Sequence, residues 1–422
     1  MFGSLCFNKP NGKMNNWNTG GDSLLLRNVH IVTTGRVVDR GCVLIENGRI
    51  ARLADSRWSE KLRADSELDL SGLTLFPGFI DLHIHGAVGV DTLTASVEDL
   101  SFVSHYLASH GVTGWLPTLV PAPPDQYERA VRAIEAIMLE QGSKEPSGIN
   151  VHHVARVLGV HYEGPFVNAA QCGALQSQHF RVYHNAADLD ELAAIPHENA
   201  IHMMTLAPEV EGGIELVEEL NRRDWAVSLG HTCANPDVLE RAFAAGARHM
   251  THFMNAMPPM HQRAPGPVGW GLTHEGVSCD VIADGIHVDP LILKLLVKSK
   301  TPKRMLLISD AIAAAGLGDG KYRIWGEEII VQNSRTRNSR GSIAGSVITM
   351  LDAVRLVLSL GVPETDVARM ASLNPARLLR IGDDCGSIEE GKRADFVALD
   401  QGRAVRLTIV NGRPLASDDR VQ

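Results

Sequence analysis

The run PGFIDLHIHG (77–86) closes on two histidines, His83 and His85, separated by one isoleucine. Side chains of a strand alternate with period two, so Phe79, Asp81, His83 and His85 are expected on one face and Ile80, Leu82 and Ile84 on the other. Two imidazoles one pleat apart can converge on a single cation. With 18 histidines in 422 residues, roughly one such pair arises by chance, so the pair needs partners before it carries meaning. Partners stand after other apolar runs. Glu163 ends VLGVHYE, His231 follows WAVSLG, His252 follows HMT, His287 follows CDVIADGI, and Asp310 follows RMLLIS. Imidazole and carboxylate are the donors of a borderline divalent cation, which keeps a position open for water. Such an ion lowers the pKa of its water, polarises a carbonyl, or does both. A separate carboxylate must then take the water's proton and pass it to a leaving amine, a task suited to Asp310. The implied chemistry is metal-assisted hydrolysis.

These residues act together only if a fold gathers them. From Phe76 onward, apolar runs of strand length alternate with helical stretches. The strand candidates are FIDLHIH, GVTGWLPTLV, VLGVHYEGPF, IHMMTLAPE, WAVSLGHT, HMTHFMNAM, CDVIADGIHV and RMLLISDA. The segments 127–140, 212–223 and 236–246 carry apolar residues three and four apart, as helices do. Asn235-Pro236 reads as an N-cap followed by proline at the first helical position. Eight strands with intervening helices, over roughly 240 residues, predict a (β/α)8 TIM barrel within the α/β class. A doubly wound sheet is the competing arrangement, but no G-x-G-x-x-G follows any of these strands. In a barrel the carboxyl ends of the strands converge on the active site. His83, His85, Glu163, His231, His252, His287 and Asp310 all fall at such ends. Unrelated solvated side chains have no reason to choose that end.

The flanks read differently. Residues 24 to 75 have short β texture with a turn at Asn47-Gly48, and the tail GSIEEGKRADFVALD and GRAVRLTIVNGRPL returns to it. Two further helices are expected around 346–360 and 364–380. The expected organisation is a small β-sandwich-like domain, formed by 23–75 and 385–416, beside a barrel of 76–384. Residues 1–22 are rich in Asn and Gly and lack an apolar signal core, which predicts a flexible leader on a cytoplasmic protein. The net charge of −9, with no block of like charge, argues against nucleic acid or an anionic membrane as the main partner. No apolar run is long enough to span a bilayer. The six cysteines are scattered without a C-x-x-C, which fits reduced thiols. Cys172 and Cys233, close to the motifs, are read as small apolar residues rather than nucleophiles.

In order and spacing, PGFIDLHIHG, HYEGPF, SLGHT, THFMNAM, VIADGIHV, LISDA, SIAGS and GSIEEGKRADFVALD resemble the amidohydrolase superfamily. Within it, the likeness is to the N-acetylglucosamine-6-phosphate deacetylase family, from about residue 24 to 412. The resemblance implies that Glu163, His231 and His252 hold the principal metal and that Asp310 is the catalytic acid and base. His83 and His85 match members that carry H-x-H and bind a second ion. Zinc is the expected metal, with iron, manganese or cobalt as alternatives. Ala174, Leu175, Asn255, Ala256, Arg263, His287, Ile343 and Ala344 match substrate-contacting positions, with Arg263 on the sugar phosphate. A homodimer is implied, with Arg263 reaching across the interface. One departure stands out: the family shows a histidine where this chain has Leu175, and leucine cannot donate a hydrogen bond. A second metal or the nearby His179 could serve instead. Otherwise the substrate differs, as N-acetylgalactosamine-6-phosphate or an unphosphorylated sugar would. Two other readings compete. Opening of a cyclic amide usually needs a carboxylated lysine at a strand end, where this chain has Glu163. A non-enzymatic scaffold on the same fold would be expected to lack several of these donors.

Overall fold

The computed structural model describes residues 23–55, 61–143 and 154–415, so the expected leader 1–22 and residue 416 lie outside the described residues. All eight apolar runs form strands: Phe79–Ile84 (β1), Val112–Leu119 (β2), Gly159–Glu163 (β3), Ile201–Leu206 (β4), Ala226–Leu229 (β5), His249–Met250 (β6), Ser278–Ile282 (β7) and Met305–Ile308 (β8). They pair in parallel and in chain order. The ring closes between β8 and β1 through a parallel bridge, Ile84 to Ala311. At the same seam the Asp310 N–H donates to His83 O at 2.9 Å, and the His85 N–H donates to Ala311 O at 2.7 Å. This is a (β/α)8 barrel. Strands buried on both faces read as continuous apolar runs because helices cover the outside and side chains fill the inside.

Ile80, Leu82, Leu116, Met203, Ile282 and Ile308 cluster inside the barrel. The alternate residues of these strands, such as Val160, Leu229, Val281 and Leu307, pack against the helices. Strict alternation fails in β1. Phe79 and Ile84 both lie in the helix-side cluster, while Ile80 and Leu82 lie inside. The β1–β2 register slips between Phe79 and Ile80 and again between Asp81 and Ile84. The second irregularity turns His83 inward, so His83 and His85 still meet, but without Phe79 on their face.

Among the described residues, seven α-helices of eight residues or more flank the strands: Val97–Ser109 (α1), Pro124–Gly142 (α2), Gly213–Arg222 (α3), Pro236–Ala245 (α4), Gly266–Thr273 (α5), Pro290–Lys300 (α6) and Met350–Ser359 (α7). The Asn235 side chain accepts the Val238 N–H and Pro236 opens α4, as the sequence predicts. Between β3 and β4 the described residues hold three short 3-10 turns in place of an α-helix. The helix expected over 364–380 runs without a gap over 364–378, with a π-turn at Arg369–Leu373 between Glu364–Ala368 and Asn374–Leu378. Pro375 explains the π-turn, since it has no N–H to offer residue 371.

The N- and C-terminal segments build one sheet. Its strands run, edge to edge, Arg413–Pro414, Val405–Val410, Phe396–Leu399, Thr74–Pro77, Ser23–Val32, Val37–Glu46 and Arg49–Ala54, with Ser66–Asp69 beside the first half of Ser23–Val32. It encloses its own core around Leu26, Ile31, Val43, Ile45, Phe396 and Ile409. Thr74–Pro77 feeds directly into β1 and so anchors the strand that carries His83 and His85. A second sheet, unforeseen from sequence, lies between β8 and α7: Gly320–Ile324, Glu327–Gln332 and Arg335–Arg337.

The barrel seam rests on a buried pair. Ser309 donates its Oγ–H to Asp81 Oδ2 at 2.6 Å and its N–H to Oδ1 at 3.2 Å. Burial pushes the Asp81 carboxyl up to about 6, against the pull of these bonds. Ser309→Ala is expected to cost about 1–3 kcal/mol by leaving that carboxylate short of a donor. Denaturant unfolding checks this, and an unchanged midpoint would show that the seam does not depend on the pair.

Candidate metal centre

Six of the seven strand-end residues converge at the barrel mouth, all nearly inaccessible to solvent. They form two groups, Glu163 with His231 and His252, and His83 with His85 and Asp310, whose donor atoms lie within 4.8 Å of one another. Glu163 joins the groups. Its Oε1 lies 2.9 Å from His231 Nε2 and 3.0 Å from His252 Nε2, while its Oε2 lies 3.3 Å from His85 Nε2. Asp310 Oδ1 lies 3.5 Å from His83 Nε2 and 3.3 Å from His85 Nε2.

The backbone aims these groups. His231, His252 and Asp310 all adopt positive φ, at +48°, +27° and +48°. Non-glycine residues rarely accept that conformation, and strain of this kind gathers at functional sites. Asp310 is further fixed by the Ser346 N–H, which donates to its carbonyl at 2.7 Å. A Cβ at Gly345 (φ +57°) would fall 2.8 Å from that same oxygen, so only glycine lets the segment approach so closely.

Outer contacts set the imidazole tautomers. His231 Nδ1 donates to Gln171 O at 2.7 Å, and His85 Nδ1 donates to Thr118 O at 3.3 Å. Thr251 gives its Oγ–H to Asp280 Oδ2, which leaves the oxygen to accept from His83 Nδ1 at 3.1 Å. Asp280 also accepts the His252 main-chain N–H and faces His249 Nε2 at 2.7 Å. With Nδ1 occupied as a donor, the Nε2 atoms of His83, His85 and His231 turn their lone pairs to the centre, whereas the buried His252 Nδ1 has no hydrogen-bond partner. His83 and His85 bring Nε2 atoms to 3.2 Å, and so do His231 and His252. Lone pairs so close repel unless a cation or proton lies between them.

The remaining expected residues divide. Asn255 donates its Nδ2–H to His252 O at 3.2 Å, and Ala256 O accepts the Thr232 N–H, so both border the centre. His287 shares a hydrogen bond between its Nδ1 and Asp284 Oδ2 at 2.7 Å. Ile343 and Ala344 lie beside Ser346 and Gly345, next to Asp310. Ala174, Leu175 and His179 line a neighbouring cavity of about 500 Å³. Arg263 stands exposed on the loop before α5, outside the cluster. Sequence reasoning passed over Asp280, Asp284, Thr251 and His161. His161 lies two residues before Glu163 and packs against His83 at 4.7 Å between ring centres. An acid or imidazole inside an apolar strand was the available signal.

A model of the amidohydrolase family matches residues 74–415. The chain is 35% identical to N-acetylglucosamine-6-phosphate deacetylase of Bacillus subtilis over 394 residues, 93% of this chain and 96% of that one. It is 36% identical to N-acetylgalactosamine-6-phosphate deacetylase of Escherichia coli O157:H7 over 340 residues, 80% of this chain and 87% of that one. The crystal structure of N-acetylglucosamine-6-phosphate deacetylase from Thermotoga maritima superposes with a TM-score of 0.81 at 32% identity, covering 92% of this chain and 99% of that one. The chain belongs to the amidohydrolase family.

The donor set of this amidohydrolase fits one or two divalent cations. Electrostatics agree. Burial opposes charge on Glu163, yet His83 and hydrogen bonds from His231 and His252 hold its carboxyl well below the usual range. Burial likewise disfavours protonated His85 and His252, but the carboxylates push them up to about 10 and about 9. His161, desolvated and beside His83, is held well below the ordinary imidazole value. A cation needs neutral His85 and His252, so its uptake must expel their protons and its affinity must fall as pH falls. Adding Zn²⁺ to chelator-stripped amidohydrolase near neutral pH is expected to release about one proton or more per ion, read by an indicator dye. Absence of release would contradict the assigned charges. Glu163→Gln is expected to weaken both groups, whereas His83→Ala should spare the Glu163 group, as elemental analysis after gel filtration would reveal.

Proposed function

We propose that this amidohydrolase removes the acetyl group from an N-acetylated amino sugar 6-phosphate, N-acetylglucosamine-6-phosphate foremost, giving acetate and the amino sugar phosphate. The carrying observation is the convergence of four imidazoles and two carboxylates, with Glu163 between the two groups, in a chain whose full-length relatives are deacetylases of this kind. Glu163 stands where ring-opening relatives would need a carboxylated lysine. The complete donor set argues against a scaffold without activity.

Glu163, His231 and His252 would hold one divalent cation, with zinc expected and iron, manganese or cobalt as alternatives. His83 and His85, with Asp310, would hold a second. Bound there, the metal supplies polarisation of the amide carbonyl and a water of lowered pKa. Asp310 takes the proton of the attacking water and delivers it to the departing nitrogen. His83 and His85 outweigh the effect of burial on Asp310 and hold its carboxyl below the usual range, so it begins the cycle as a base. Asn255 and Ala256, which border the centre, would orient the sugar together with His287, Ile343 and Ala344, with Asp284 setting the His287 tautomer. Arg263 would bind the phosphate.

Arg263 lies outside the cluster of its own chain, which supports a homodimer in which it serves the neighbouring site. Met260 on the same loop is 55% exposed, and Leu291 and Leu295, one turn apart on α6, are 74% and 46% exposed. Apolar side chains of this size on one region suit an interface. The described cysteines are unpaired, which suits the cytoplasm.

Acetate release from phosphorylated and unphosphorylated N-acetylglucosamine and N-acetylgalactosamine, at known metal content, tests the reading. Release from the phosphorylated gluco substrate is expected, and its absence would refute the assignment. Asp310→Asn should retain metal yet lose roughly 10²- to 10⁴-fold in kcat. Normal turnover would remove Asp310 from the mechanism. Arg263→Ala should lower kcat/KM for the phosphorylated sugar by about 10- to 100-fold, the worth of a charged hydrogen bond. An equal loss on the dephosphorylated sugar would contradict a phosphate role.

A further inference from the structure

The two donor groups share a support that lies beneath them. Asp280 is the middle residue of β7 and has no exposed surface. It alternates with Val281, which packs against the helices, so the Asp280 carboxylate points into the barrel. A carboxylate buried there needs donors on both oxygens. Its Oδ1 accepts the His252 main-chain N–H, and its Oδ2 lies 3.3 Å from Thr251 Oγ and 2.7 Å from His249 Nε2.

The shortness of β6 explains why a side chain is needed at this place. The strand holds only His249 and Met250, paired with Ser278 and Cys279 of β7. Beyond Met250 the chain bends sharply, with His252 at φ +27°, and the ladder to β7 ends. Asp280 replaces it: its carbonyl accepts the Phe253 N–H at 2.9 Å, while its carboxylate accepts that of His252. The same carboxylate reaches the other group through Thr251. That hydroxyl gives its proton to Asp280 and so stays open to His83 Nδ1 at 3.1 Å. His252 belongs to the Glu163 group and His83 to the Asp310 group.

One carboxylate can serve both groups only if it does not rotate, and His249 is placed to prevent that. The imidazole is fully buried between two β7 side chains: Nε2 donates to Asp280 Oδ2, and Nδ1 meets Ser278 Oγ at 2.8 Å. Of the two contacts on Oδ2, the one from His249 is the shorter by 0.6 Å (3.3 − 2.7), so His249 sets the plane that Thr251 then uses. Among the described residues, its side-chain hydrogen bonds reach Asp280 and Ser278 rather than the six donors.

We propose that His249 is a positioning residue: by fixing Asp280 it holds one ligand of each group in place, so both ions depend on a single buried hydrogen bond below them. This rests on the metal-centre reading given above. Outer partners of metal ligands typically contribute about 10- to 100-fold in metal affinity.

The test strips the full chain with a chelator and measures its Zn²⁺ affinities by competition with a chromophoric chelator, a readout independent of turnover. Glutamine can place an amide N–H where His249 Nε2 stands, whereas asparagine reaches only the place of Nδ1. His249→Ala and His249→Asn are expected to weaken each Zn²⁺ that the unaltered protein binds by at least about tenfold, and His249→Gln should stay within about threefold. Unchanged affinities in His249→Ala overturn the proposal. So does a His249→Gln as weak as His249→Ala, because packing alone would then account for the residue. If the His249 variants do not fold, Thr251→Val decides, since it keeps the side chain's shape and removes its hydroxyl. It is expected to weaken one Zn²⁺ at least about tenfold and to leave the other within about threefold. No change in either breaks the link from Asp280 to His83 and overturns the proposal. Unaltered protein that takes up no Zn²⁺ refutes the metal centre itself, and this inference with it.

Discussion

The Glu163 carboxylate, buried and facing imidazoles on either side, is the constraint around which the molecule is arranged. A desolvated carboxylate is expensive unless it is paired on every side. His231 and His252 approach one oxygen and His85 the other. The imidazoles of His83, His85 and His231 are in turn held from behind by a hydroxyl or a carbonyl, and Asp280 holds the main chain of His252. Packing four imidazoles and Asp310 around one acid creates a site that a cation completes, with protons as the only substitute. Family membership and local chemistry thus lead to the same hydrolytic centre.

Closing the barrel does more than complete a sheet. The β8–β1 seam brings Asp310 N–H onto His83 O and His85 N–H onto Ala311 O, so the residue assigned to proton transfer and the H-x-H pair share one hydrogen-bonded frame. Asp81 and Ser309 secure the same frame one step below. The positive φ values of His231, His252 and Asp310 then turn each chain abruptly at its strand end. Side chains that would otherwise continue the strand point across the mouth, and rigid strands supply the precision that loops lack.

Specificity falls to the loops. Those after β6 and β7 present Asn255, Arg263 and His287, while those after β1, β2 and β3 line a cavity together with the Trp325 hairpin. Leu175 belongs to that second side.

The sequence by itself determined the eight strands of the barrel and seven polar residues at their ends, six of which converge. Both are written in short-range patterns: apolar runs bounded by helical periodicity, and polar residues placed at their carboxyl ends. The α4 boundary was legible too, because Asn235-Pro236 is a local signal. Other features depended on contacts between distant segments. Regular alternation wrongly joined Phe79 to the face of His83, since a bulge depends on the partner strand and leaves no mark in β1. Pro375 put a π-turn into a helix that periodicity had drawn as regular. The roles of Asp280 and Thr251 as supports, the placement of Trp325 over His85, and Arg263's separation from its own chain's cluster were decided by tertiary structure alone. Each depends on where segments many residues away come to rest, and no local pattern encodes that position.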